Sequence, residues 1–352
     1  MYMITLEVNQ ICNFSCRYCY LGEKKGELMS METALKGLDI AFLNVEHHRD
    51  RRLWVDFVGG ETLISFNMLK ELSEYVDQEA RRRSINVTYS ITTNGSIMSR
   101  AIYKWLVDKR VHIKFSMDGT EEIHNKNRLL KNGQGSYGIV KEKLSYFRQY
   151  ENTTDIKLQG THVITKNNYM EFFFTIRHLV EEIGFNVIDS AIDLSYCWNE
   201  KELQVITGEW EKIIQYCIYR LKIRKPFLWG TLTDMQKYKE EKRNCTICGV
   251  GMTNIYIRTN GQIYGCVANL KSTGQLGDVE HGININRVRN YQKINLEAKK
   301  CKNCDAREKC LSKGCIMNHL NCNEGTASPN SVMCFLEKEK QKIWNKYHMY
   351  FI

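Results

Sequence analysis

Between Met3 and Leu221, short β-like runs alternate six times with amphipathic segments, and no other feature restricts the fold of this chain as strongly. The β-like runs are Met3–Val8, Leu53–Val58, Val87–Ile91, His112–Met117, Ile156–Ile164 and Val187–Leu194. The segments between and after them are Ser30–Val45, Asn67–Arg81, Ser99–Lys109, Tyr137–Tyr150, Tyr169–Ile183 and Leu203–Leu221. In the first, Ala34, Leu38, Ala41 and Phe42 recur near one helical face. Such alternation predicts an α/β protein with a parallel sheet and right-handed crossovers, open or rolled into a barrel. The unusual residues fall just after the strands. Cys12, Cys16 and Cys19 follow the first, Gly59-Gly60-Glu61 the second, Thr93-Asn94-Gly95 the third, and Ser116, Asp118 and Gly119 the fourth. Parallel α/β folds build their sites at the carboxyl ends of the strands. One glycine after a strand is an ordinary turn; four consecutive strands delivering polar or glycine motifs to one rim predict a site.

The pattern changes after about residue 225, where Pro226 and Gly230 mark a break. The expected organisation is therefore a large domain, 1–225, and a small one, 226–352, that ends in a charged helix over Phe335–Tyr347. Most of the 14 cysteines lie in the second part, which is glycine-punctuated and poor in long apolar runs. Small domains of that kind are commonly held by metal. The start of the chain lacks a basic stretch followed by an apolar run, and no stretch nears 18 apolar residues, so neither a signal peptide nor a membrane span is expected. That predicts a reducing cytoplasm, where many cysteines signal metal or redox chemistry rather than disulfides. The formal charge of +10 is scattered over runs such as Arg81-Arg82-Arg83, which read as solvated helix faces; nucleic-acid binding is the minority reading.

Residues Cys12-Asn-Phe-Ser-Cys16-Arg-Tyr-Cys19 form a CxxxCxxC pattern. Three thiolates in one loop suit a 4Fe–4S cluster with one iron left for another ligand, whereas zinc would want a fourth protein ligand. With this loop, Gly59-Gly60-Glu61, Asn94-Gly95, Ser116-Met-Asp118-Gly119, His124, Arg128 and Gly133-Gln-Gly135-Ser136-Tyr137, the chain resembles the radical S-adenosylmethionine (SAM) enzymes, in particular those that modify peptides and proteins. The resemblance implies a partial (β/α)6 TIM-like barrel, with Cys12, Cys16 and Cys19 as catalytic cluster ligands. It also implies SAM contacts from Tyr18 near the adenine, from Gly59, Gly60 and Glu61 at the methionine ammonium, and from Asn94, Ser116, Asp118 and Arg128. Thr62 and Thr120 stand where relatives often carry proline, and Asn125 where aspartate is common.

The second cysteine group resembles the SPASM extension, which carries two auxiliary 4Fe–4S clusters. The resemblance implies one cluster on Cys245, Cys248, Cys266 and Cys315 and another on Cys301, Cys304, Cys310 and Cys334, with Cys322 competing for the last place. A zinc ribbon from the two CxxC pairs is the alternative. Cys197 and Cys217 read as buried inert thiols. Three clusters would lower the formal +10 to roughly +5, which further weakens the nucleic-acid reading.

The expected activity is that of a peptide maturase. Reductive cleavage of SAM would yield a 5′-deoxyadenosyl radical that abstracts hydrogen from a ribosomally made peptide, most naturally to form a thioether or carbon–carbon cross-link. Sulfatase-maturating enzymes carry an aspartate base directly after the cysteine that matches Cys266; Val267 stands there, which argues against that activity. Peptide epimerisation is a further alternative, and an iron–sulfur electron carrier or a zinc-bound nucleic-acid module belong to different classes. Only 11 residues precede Cys12, so leader recognition is expected to fall to a separate partner protein, with flavodoxin or ferredoxin as electron donor.

Overall fold

The computed structural model describes residues 1–22, 26–239, 249–290, 299–312, 315 and 330–351. Cys245, Cys248 and Cys322 lie outside the described residues. Six parallel strands, β1 (Tyr2–Asn9), β2 (Arg52–Gly59), β3 (Asn86–Thr93), β4 (His112–Ser116), β5 (Gln159–Ile164) and β6 (Val187–Ile192), stand side by side in sequence order. The helices between and after them are α1 (Met31–Glu46), α2 (Phe66–Arg83), α3 (Arg100–Asp108), α4 (Glu121–Asn127), α5 (Tyr137–Thr154), α6 (Phe172–Glu181) and α7 (Glu200–Lys222). The sheet does not close, because β6 pairs next with β7 (Leu228–Trp229) and β1 with β8 (Asn254–Ile257), both parallel. This is the expected partial (β/α)6 barrel, with a cysteine-rich C-terminal region beyond it. Three antiparallel strands, β9 (Gln262–Tyr264), β10 (Gln275–Asp278) and β11 (Gly282–Ile283), extend the sheet from β8, so among the described residues one sheet of eleven strands forms.

Alternation along the strands separates the two faces. Ile4, Leu6, Val55, Phe57, Ile91, Ile113 and Phe115 are buried beneath the helices, where Ala34, Leu38, Ala41 and Phe42 of α1 meet them as the sequence predicts. Each such Leu, Ile or Phe contributes about 1.5–3 kcal/mol. The residues between them point into the barrel and are polar: Thr5, Asp56, Ser90 and Lys114 form one network, with Asp56 accepting from Ser90 and lying 3.3 Å from Lys114 Nζ. A barrel lined in this way leaves its interior free for a polar guest. Local signals set the helix starts. Ser30 caps α1, Ser99 caps α3, and Asn199 with Glu202 forms a capping box on α7. The terminal helix runs over Ser331–Tyr347, one turn longer than expected, because Asn330 caps it by accepting from Val332 N. One sequence expectation fails: Cys217 is buried, but Cys197 is exposed in the loop after β6, although its neighbours Tyr196 and Trp198 pack against the core.

Candidate functional site

The four motifs after β1 to β4 meet at one rim. The cysteine loop leaves β1 and is pinned from both sides. Ser15 N and Arg17 N donate to Leu129 O and Asn127 O, and Phe14 bridges to Leu130, so the segment after α4 acts as a short strand beside the thiols. On the other side, Glu61 N donates to Ile11 O at 2.7 Å and Gly60 N to Asn9 O at 3.0 Å. A Cβ on Gly60 would collide with the Ile11 carbonyl, so this approach of backbone to backbone needs glycine. Gly95 is required for two reasons: its φ is +75°, and a Cβ there would strike the Phe115 ring.

Cys12 is buried; Cys16 and Cys19 are partly exposed. Phe14 N lies 3.3 Å from the Cys12 sulfur and Asn94 Nδ2 3.8 Å from it, and Asn94 also donates to Asn13 Oδ1 at 3.0 Å. Burial raises the Cys16 pKa. Arg128 opposes the rise, while Asp118, Cys12 and Cys19 add to it. Cys12 and Cys19 are therefore both near enough for their charge to act on Cys16. Among the described residues no three His, Cys, Asp or Glu side chains converge as a ready-made single-ion site. A four-iron cluster spreads its thiolates over the corners of a cube, wider than the tetrahedron around one ion, and binding deprotonates them. Three thiols in one pinned loop, two of them acting on the third, fit that donor set.

Glu61 is fully buried and its carboxylate is already engaged. It accepts from Leu63 N at 3.0 Å, Thr93 Oγ1 at 2.8 Å and Asn94 N at 2.7 Å. Burial pushes its pKa up, and these donors pull it down. The carboxylate thus ties the β2 and β3 loops together and has about one lone-pair direction left for a further donor. Asp118, also fully buried, accepts from Tyr18 Oη at 2.6 Å and from Val163 N at 3.3 Å, and lies 3.2 Å from Arg128 Nε. Arg128 stacks over the Tyr18 ring at 5.3 Å. Burial works against the Arg128 charge, but Asp118, Tyr18 and Cys16 outweigh it, so the guanidinium pKa rises. Ser116 Oγ faces Thr161 Oγ1 at 3.4 Å.

Several residues on this rim act through backbone. Asp118 N lies 3.4 Å from His124 Nδ1, His124 Nε2 lies 3.0 Å from Ser136 Oγ, and Ser136 donates to Arg128 O at 2.7 Å. This chain assigns the proton to Nε2 and holds Asp118 and Arg128 in a fixed relation. The substituted positions have their own chemistry. Thr62 donates to Thr92 O at 2.7 Å, Thr120 caps α4, and Asn125 Oδ1 accepts from Ser136 N and Tyr137 N at the start of α5. Hydrogen bonds do here what proline would do by rigidity. Tyr18 as the partner of Asp118 was not foreseen; its place one residue before Cys19 was the available signal.

A cavity of about 700 Å³ lies beside the rim, with Thr161, Val163, Asp189, Asp234, Lys237 and Lys340 among its lining residues. Thr161 and Val163 are the β5 residues that contact Ser116 and Asp118, so cavity and rim share a wall. Asp234 is paired with Lys237 at 2.7 Å and lies 3.8 Å from Lys340. Asp189 accepts from the neutral Gln159 amide, and burial raises its pKa, with Asp234 adding to the rise.

In the C-terminal region, burial raises the Cys334 pKa, Lys300 lowers it, and Cys301 and Cys304 raise it further. Cys301 and Cys304 are thus within charge range of Cys334.

A partial parallel barrel with a thiol loop and polar motifs on its carboxyl rim defines a cofactor-dependent α/β enzyme. Residues 6–179 match the Radical SAM superfamily, so this part of the chain is a radical SAM domain. The cysteine-type anaerobic sulfatase-maturating enzyme of Clostridium novyi (strain NT) is 23% identical over 97% of this chain and 96% of its own length. The structure of native anSMEcpe with bound AdoMet superposes with a TM-score of 0.81 at 16% identity, covering 98% of this chain and 97% of that one. Streptococcus suis SuiB bound to precursor peptide SuiA matches with a TM-score of 0.64 at 14% identity, covering 94% and 75%. A radical SAM domain implies SAM and a 4Fe–4S cluster as cofactors. Among the described residues, no helix is long and apolar enough to cross a membrane.

Proposed function

We propose that the chain is a radical SAM maturase that modifies a side chain of a ribosomally made peptide, forming a thioether or carbon–carbon cross-link. The observation that carries this reading is the cavity sharing its Thr161–Val163 wall with the Ser116–Asp118 rim, which is large enough for several peptide atoms beside the cofactor. SuiB, a structural neighbour, binds a precursor peptide. Cys12, Cys16 and Cys19 hold the first cluster; when bound, cluster and SAM supply a carbon-centred radical able to take hydrogen from an unreactive position. The chain's own residues position and seal. Glu61, through its last acceptor direction and the backbone of Gly59 and Gly60, orients the methionine ammonium. Tyr18, Asn94, Ser116 and the Asp118–Arg128 pair line the nucleoside side, and the pinned cysteine loop excludes water.

Two auxiliary clusters complete the reading, one on Cys301, Cys304, Cys310 and Cys334 and one on Cys245, Cys248, Cys266 and Cys315. The charge of Cys301 and Cys304 acting on Cys334 supports the first set. The cytoplasm, a 1–225 barrel with a 226–352 SPASM domain, a flavodoxin or ferredoxin donor and a separate leader-binding protein belong to the same proposal. Sulfatase maturation is the second reading, favoured by the Clostridium novyi relative; Val267 after Cys266 speaks against it. Anaerobic incubation with SAM, reductant and each peptide class separates them. A precursor peptide from a neighbouring gene should lose two hydrogens per site and show a cross-link on tandem fragmentation. Sulfur loss from a sulfatase-type cysteine peptide instead would sink the first reading in favour of the second.

A further inference from the structure

Glu337 is a buried carboxylate far in sequence from the rim, and no step above uses it. It sits on the terminal helix three residues after Cys334, on the same helical face. Its Oε1 accepts from Tyr238 Oη and from Leu311 N at 3.1 Å, and its Oε2 accepts from Ser312 Oγ at 3.3 Å. Among the described residues it has no cationic partner. A desolvated carboxylate without a cation is tolerated only where neutral donors converge on it. Here two of the three come from Leu311 and Ser312, next to Cys310, and Cys315 N in turn donates to Ser312 O at 3.1 Å. One turn further along the helix, Gln341 donates to Ala306 O at 3.2 Å, holding the stretch between Cys304 and Cys310. The Cys334–Glu337–Gln341 face thus grips the cysteine segment at two places.

We propose that Glu337 is the positioning residue of the second cysteine group: it locks Leu311 and Ser312, next to Cys310, onto the helix that carries Cys334, so that Cys310 and Cys334 are presented to one iron–sulfur cluster. This inference rests on the auxiliary-cluster reading above. Its force comes from mutual dependence. Leu311 and Ser312 supply donors that make the buried carboxylate tolerable, and the carboxylate gives these two residues their one fixed position.

The test uses the full chain, reconstituted anaerobically, with iron per chain, melting temperature and the SAM-induced change in the electron paramagnetic resonance of the first cluster as readouts. Wild type should hold about 12 Fe. Glu337→Leu should hold about 8 Fe with the SAM-induced change intact. Glu337→Gln should recover to near 12 Fe, since its carbonyl still accepts from Tyr238 and Leu311 and its amide can donate to Ser312. Full iron in Glu337→Leu, equal loss in Glu337→Gln, or loss of all iron together overturns the proposal. If Glu337→Leu does not fold, Ser312→Ala decides: faster iron loss to a chelator than wild type supports the proposal, and an unchanged rate overturns it. Wild type near 4 Fe would instead refute the auxiliary clusters themselves.

Discussion

Tyr18 donates its phenol proton to Asp118 at 2.6 Å, joining the cysteine loop to the end of the fourth strand across 100 residues of sequence. Tyr18→Phe leaves a fully buried carboxylate oxygen without its donor. The expected loss is about 1–3 kcal/mol in urea unfolding, with weaker SAM binding by equilibrium titration. Unchanged values for both would mean the contact is incidental.

Arg128→Ala should cost more. It strands Asp118 as an unpaired buried charge, for which about 3–5 kcal/mol is the usual scale. Arg128→Ala with Asp118→Asn should recover part of that loss, and a double variant no better than the single one would argue against the pair.

Glu61→Gln places an amide where three donors already converge. About a tenfold loss in SAM cleavage is expected for roughly 1.4 kcal/mol of misfit, with iron content unchanged. Chromatographic quantification of 5′-deoxyadenosine beside an iron assay reads both.

Acid should destabilise the fold through His124. Burial, and then the Arg128 charge, lower its pKa from 6.5 to about 3. The unfolded chain takes up this proton near pH 6.5, so the stabilisation is complete above that value and declines as pH falls towards 3. Between pH 7 and 5 the loss is about 2 kcal/mol from this group. His124→Asn should shrink the difference between urea midpoints at the two pH values; an identical difference would exclude His124 as a source.

Asp189→Asn separates the cavity from the radical site. Product formation on the peptide should fall at least tenfold while SAM cleavage without peptide stays at the wild-type rate. Equal loss of both would place Asp189 in the cofactor machinery instead.

Much of the barrel and its rim was legible because two independent regularities coincide. Period-two and period-3.6 patterns mark the elements, and parallel sheets put chemistry at strand ends. What escaped lacks such patterns. Helix α4, Glu121–Asn127, has a single buried aliphatic, Ile123, and so carries no stripe. Strands β8 to β11 are at most four residues long, too short for a period to register. The engagement of Glu61 by backbone N–H groups, and of Glu337 by two residues beside a cysteine, depends on long-range convergence that no local window contains. Cys197 was misread for the related reason that apolar neighbours in sequence need not bury the residue between them.

The pairing of β1 with β8 has a consequence for synthesis. Strand β1 is an interior strand of the finished sheet, and its second edge stays open until residues 254–257 have left the ribosome. The cysteine loop hangs from that strand. Over that interval the nascent chain therefore offers its thiols and an unpaired strand edge together, which is an invitation to iron delivery and to aggregation alike. Whichever arrives first decides the yield of active molecules, and release of the C-terminal region closes the contest.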